Sequence, residues 1–282
     1  MPIRDVLLQI DSYPEATSAD AIEQAVRFTA AIGGVLSALA VEVDIRVPRN
    51  LLADYLIGLG KLAAEAERQS HEACHSQLKV FGAKAAAAGV LGEALHGRSD
   101  VYCVGEYVGK RARTRDLCIV PVVDRLDGQR TIAEEVVFSS GRPVLLFRPG
   151  QADLPRDGLG VVVLAWDGSR SAARAMAEAI PVMLKAREVR VFTVVNEKPD
   201  ARPGLGEDAV RHLKVHGVNA VAEEMDASGR RIGEVLEDYV GKCGADLLVM
   251  GAYGRSRVRE FILGGATEYM LHDPKMPLFL AH

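Results

Sequence analysis

The chain has 282 residues, of which 49% are hydrophobic and 26% charged, and 34 basic against 38 acidic side chains leave a net charge of −4 at pH 7. This length and composition bury a sizeable core without staples, exclude a largely disordered chain, and at roughly 150 residues per domain point to two domains. The weak acidic balance lacks the basic excess of a dedicated nucleic-acid binder, and no apolar run reaches the roughly 18 residues of a membrane span.

The first predicted element is a short apolar strand, DVLLQI (5–10), closed by Asp11. Bracketed by Asp5 and Asp11, it is too short for the apolar core of a signal peptide, so an intracellular, cytoplasmic protein is expected. A helix follows over 18–32, with Ile22, Val26 and Thr29 at helical spacing and Ser18 as its N-cap. GVLSALAVEV (34–43) reads as a second strand, and roughly 48–88 as a mostly helical section. DLCIVPVV (116–123) and RPVLLF (142–147) are the later strands of this half, and RPGQADLPRDG (148–158) reads as a linker.

The order then repeats. VVVLAW (161–166) ends at Asp167, and a helix over 169–185 carries Ala172, Ala175, Met176, Ala179, Ile180 and Met183 on one face, with Ser169 as its cap. EVRVFTVVNE (188–197), DLLVMGAY (246–253) and MPLFLAH (276–282) match the later strands of the first half. Continuous Val/Ile/Leu runs alternating with helices predict an α/β fold built on mainly parallel sheets covered on both faces. Two consecutive domains are expected, over 1–150 and 158–282.

The chemistry-bearing motif lies in the second half. Strand 245–250 runs into GAYGRSRVREFILGGATEYML, a G-x2-G-x9-G-G pattern at Gly251, Gly254, Gly264 and Gly265, with Arg255, Arg257 and Arg259 in the intervening loop. Glycines let a backbone approach an anion, and a helix start supplies free N–H groups and the positive dipole end. The pattern is neither the Rossmann GxGxxG nor the P-loop GxxxxGK[ST], and spacing alone is equally compatible with a tight turn.

With the AWDGS segment, the DLLVMGAYGRS…LGGAT block and the PLFL strand around it, the chain resembles the universal stress protein family in tandem form. That resemblance implies two doubly wound, five-stranded domains of the adenine nucleotide alpha-hydrolase-like kind, whose terminal strands, 143–147 and 277–281, pair the halves about a pseudo-twofold axis. It implies ATP with magnesium bound in the second half: Asp167 and Val194 at the base, Met250 and Gly251 near the ribose, and Gly254, Gly264 and Gly265 around the phosphates. Ala165 and Ala266 complete the implied set. ATP-binding members carry Ser or Thr where Gly265 stands here. The first half has Pro121, Val122, Val123 and Asp124 at the glycine turn, so it is expected to be degenerate and to complete the pseudo-dimer. The expected function is a regulatory nucleotide binder of the stress response rather than a dedicated catalyst, with slow ATP hydrolysis left open. The alternative is an interaction module that binds no nucleotide. Protein partners are unspecified, and further homodimerisation through the helices of 50–88 is left open.

Other groupings have plainer readings. HEACH (71–75) matches the H-E-x-x-H zinc pattern, but its surroundings are polar and no third ligand follows at a familiar spacing, so a solvated helix face and no metal are expected. His212 and His216 share that spacing and that reading. GxSxG is absent, and Ser169 reads as a cap. Cys74, Cys103, Cys118 and Cys243 form no CxxC pair and read as free thiols, and Trp166 reads as a core residue.

Overall fold

The computed structural model describes residues 2–46, 58–122, 127–156, 158–196, 203–252 and 265–282. The first half runs β1 (Asp5–Ile10), α1 (Ala19–Ile32), β2 (Val35–Asp44), α2 (Leu59–Ala87), β3 (Leu91–Asp100), a single 3-10 turn, α3 (Val104–Ala112), β4 (Leu117–Pro121), α4 (Asp127–Ser140) and β5 (Val144–Phe147). The second half runs β6 (Leu159–Ala165), α5 (Arg170–Met183), β7 (Ala186–Val195), α6 (Glu207–Val215), β8 (Ala220–Asp226), α7 (Ile232–Cys243), β9 (Leu247–Gly251), α8 (Gly265–His272) and β10 (Leu278–Ala281).

All ten strands form one sheet, in the order β3-β2-β1-β4-β5-β10-β9-β6-β7-β8. Within each half the pairings are parallel. The seam between the halves is antiparallel, with Leu278 opposite Leu146, Phe279 opposite Leu145 and Leu280 opposite Val144. The two five-strand units thus meet edge to edge as the terminal-strand reading expects. Central strands are buried on both faces, which explains their unbroken apolar sequence.

Alternate residues of each strand feed two cores. One lies under α1, α2, α5 and α6 and contains Leu8, Ile22, Phe81, Leu164, Val182 and Phe279. The other lies under α3, α4, α7 and α8 and contains Leu7, Val108, Val136, Val163, Leu236 and Leu280. Both cores run through both halves, so the molecule is a three-layer sandwich whose middle layer crosses the seam.

The internal repeat extends to individual hydrogen bonds. Ser18 accepts from Ala21 N–H and Ser169 from Ala172 N–H, each at 3.1 Å, capping α1 and α5. Asp116, just before β4, accepts from the Arg4 and Asp5 N–H groups at 2.9 and 3.0 Å. Asp246, just before β9, accepts from Gly160 and Val161 at 2.5 and 3.0 Å. Each carboxylate satisfies donors at the start of the neighbouring central strand that no ladder partner reaches.

The linker is packed rather than loose. Arg148 and Ala152 form an isolated antiparallel bridge, and Leu154 is 1% exposed within the first core. The Gln24 side chain on α1 accepts from Leu154 N–H at 2.8 Å and donates to Asp153. Arg148 pairs with Asp273 of the second half. Its Pro, Gly and charge content therefore marks a turn-rich strap that joins α1 to the region beyond α8.

Candidate nucleotide crevice

In the second half the chain leaves β6 towards β7 on one side, while β9, on the other side of β6, leads on to β10. Connections departing in opposite directions open a crevice beyond the C-terminal ends of β6 and β9, the place where open parallel sheets take ligands. Ala165 ends β6 opposite Phe192 of β7, and Leu164 lies opposite Val249 of β9, which sets Met250 and Gly251 beside the end of β6. Val194 lies near the end of β7. Ala165, Val194, Met250 and Ala266 all border the second core. Of the implied residues, the structure therefore gathers Ala165, Val194, Met250, Gly251, Gly265 and Ala266 around one strand-end region, with Asp167 just beyond β6. Gly254 and Gly264 lie outside the described residues, as do Arg255, Arg257 and Arg259.

Gly251 is the meeting point of two helix starts. A Cβ on it would stand 2.5 Å from the Ser171 carbonyl carbon and 2.6 Å from the Ala172 nitrogen, so the first turn of α5 lies directly against it. On α8, the Thr267 hydroxyl donates to the Gly251 carbonyl at 3.4 Å. Two positive dipole ends converge on one strand terminus, an arrangement that favours an anion. Ser171 and Thr267 escaped the sequence reading, and Ala172 was read only as part of a helix face, because all three are tied to Gly251 through space and not through the glycine pattern.

Gly265 opens α8 and is exposed, and among the described residues a Cβ there meets nothing within 4 Å. Thr267 does not replace the missing hydroxyl, because it is buried and directed onto Gly251. Asp167 is exposed and accepts from Ser169 N–H at 3.0 Å, the backbone-capping role of an Asx turn. Gly168 takes φ 71°, a left-handed conformation that suits glycine, and leads into the Ser169 cap. Trp166 is half-buried against the first core and donates its indole N–H to Leu205 O at 3.1 Å.

At the equivalent place in the first half the side chains are hydrogen-bonded within the fold. Asp11 is 5% exposed, accepts from the Gln9 amide at 2.7 Å, and takes the Thr17 hydroxyl on its backbone N–H at 2.8 Å. The Ser12 hydroxyl reaches Val41 O at 2.6 Å and the Ser70 hydroxyl at 2.7 Å. Pro121 ends β4 and Val122 is buried, while Val123 and Asp124 lie outside the described residues. Where Asp167 faces solvent, Asp11 is spent inside the fold.

A charged surface groove along α8 is lined by Arg231, Glu237, Gly265, Tyr269, Asp273 and Lys275, among others. The Lys275 ammonium and, behind it, Arg148 hold the Asp273 carboxyl below the usual carboxylate range. Among the described residues the groove shares only Gly265 with the crevice, and its lining mixes both charges.

The other motif of interest also changes on folding. His71 and His75, one turn apart on α2, have ring centroids 4.6 Å apart. His96 on β3 joins them, 6.1 Å from His71 and 5.3 Å from His75. Sequence spacing could not supply this third imidazole, because it arrives from the neighbouring sheet edge.

Residues 159–282 match the model of the universal stress protein family. A universal stress protein from Archaeoglobus fulgidus DSM 4304 superimposes with a TM-score of 0.70 at 16% identity, covering 98% of this chain and 95% of that one. A protein classed as a universal stress protein from Pseudomonas aeruginosa UCBPP-PA14 gives 0.53 at 16% identity, covering 99% and 93%. At these identities the two structures establish the shared two-half fold. No curated protein sequence matches the chain.

Proposed function

With residues 159–282 belonging to the universal stress protein family, we propose that the chain is a cytoplasmic regulatory binder of an adenine nucleotide, ATP with magnesium, held in the crevice between β6 and β9. The observation that carries this reading is the convergence of the α5 and α8 starts on Gly251 at the point where strand connections diverge. Ala165, Val194 and Met250 offer an apolar floor for the base, and Asp167 stands exposed at its edge. The backbone of Gly265 and Ala266, in the first turn of α8, faces the phosphates. Binding acts by shifting the population of a surface that a protein partner reads.

Gly265 favours a second reading, an interaction module without nucleotide, because the phosphate-facing hydroxyl is absent and Thr267 is already engaged. One hydrogen bond to a charged group contributes about 1.5–3 kcal/mol, roughly ten- to over a hundredfold in affinity. Titration calorimetry with magnesium-ATP separates the two readings. Gly265→Ser, whose Cβ meets nothing within 4 Å among the described residues, tightens binding by that factor, while Gly265→Glu sets a carboxylate against the phosphates and abolishes it. No heat up to millimolar ATP in any of the three proteins, with no co-purified nucleotide, would leave the interaction module standing.

A further inference from the structure

The three imidazoles of His71, His75 and His96 each offer a ring nitrogen, and these atoms all lie within 4.8 Å of one another. Beneath them is Glu42 of β2, whose side chain is only 13% exposed. Its Oε2 lies 3.1 Å from His71 Nδ1 and 3.3 Å from His96 Nε2. The register explains the meeting: His96 lies opposite Ala40 and Arg98 opposite Glu42, so His96 and Glu42 are diagonal neighbours across β2 and β3, and α2 packs over both strands.

We propose that His71, His75 and His96 bind a divalent transition-metal ion of the zinc class, with Glu42 supplying the negative charge beside it. Imidazole nitrogens suit Zn2+ and its neighbours, which take about four N, O or S ligands at roughly 2.0–2.1 Å, so that ligand atoms stand about 3.4 Å apart. Closing from 4.8 Å takes small rotations of side chains that are free to make them, since His71 is 52% and His96 36% exposed. Glu42 either takes the fourth position or holds an imidazole from behind, the usual carboxylate partner of a metal-bound histidine.

The second histidine pair of the chain is an internal comparison. His212 and His216 meet edge-on at 4.7 Å and 64°, essentially the geometry of His71 and His75 at 4.6 Å and 64°. Helical spacing alone therefore produces a paired face. A third imidazole and a half-buried carboxylate are found, among the described residues, only at the first pair. Glu72 of the H-E-x-x-H pattern is turned away to Arg68 at 2.6 Å, so the site clamps α2 to the outer strand β3 and has no base poised over it.

The test is zinc titration of the untagged, chelator-stripped full chain against a competing chromophoric chelator, with cobalt substitution read in the visible spectrum. One ion per chain with micromolar or tighter affinity is expected, together with an intense four-coordinate cobalt band. His96→Ala should weaken binding at least thirtyfold on the order expected for loss of a ligand, and Glu42→Gln about tenfold or more. His212→Ala/His216→Ala should change neither. All these side chains are at the surface or partly so, and unchanged circular dichroism verifies folding. Zinc binding that His96→Ala leaves intact, or that vanishes with the His212 pair, overturns the site. So does the absence of stoichiometric binding at high micromolar zinc.

Discussion

Gly251 shows how a residue that looks like ligand chemistry can be required first by packing. Its missing Cβ is the space in which the backbone of Ser171 and Ala172 sits, and those atoms cannot swing aside as a side-chain tip would. Gly251→Ala should therefore destabilise the fold by about 1–3 kcal/mol, measured as a lower urea midpoint, whether or not nucleotide is present. An unchanged midpoint would mean that α5 retreats freely and that the crevice is softer than described. Gly265, in contrast, has open space around it among the described residues and is where binding can be probed with little change to the fold. The sequence pattern treats the two glycines alike. Their difference became legible only once α5 had been laid against the end of β9. Ser18 and Ser169 were legible as caps because capping is local, whereas His96 and Glu42 were invisible because they reach α2 from strands whose pairing no motif encodes.

Among the elements, the central strands were readable from their apolar runs, and the two outermost were not. β3 (LGEALHGRSD) and β8 (AVAEEMD) are edge strands with mostly exposed or half-exposed residues, so they lack the signature of burial. Their polar and charged side chains also discourage pairing with another sheet. The strap after β5 was readable as turn chemistry, but its anchoring was not, because Leu154 is its one large aliphatic residue. Burial of that side chain and the bond from Leu154 N–H to Gln24 make the strap part of the core. Leu154→Ala should cost about 2–4 kcal/mol, comparable with a substitution in a central strand. Equilibrium denaturation checks this, and a cost below about 0.5 kcal/mol, the level of an ordinary surface site, would show the strap to be a mere tether.

For the whole molecule, the antiparallel pairing of β5 with β10 turns two half-sheets into one and leaves β3 and β8 as its outer edges. His282 extends the joint, donating its Nδ1–H to Ala252 O at 2.9 Å and packing edge-on against Phe138 of α4 at 5.0 Å. A chain ended at Pro277 loses β10 and bares the apolar edges of both β5 and β9. Such edges seek another strand. The shortened protein should therefore associate or aggregate, as read by light scattering, and a well-behaved monomer with unchanged melting would show that the halves do not depend on their joint.

The same placement has a consequence in time. β10 sits in the middle of the sheet, yet it follows all nine other strands along the chain. During synthesis the first half can assemble early, because β1 to β5 all precede residue 148. It must then wait with the outer edge of β5, Val144 to Phe147, unpaired until the last strand emerges. That interval is the chain's most vulnerable one, when β5 of one nascent molecule can pair with β5 of another. Fast arrival of the second half therefore protects the first.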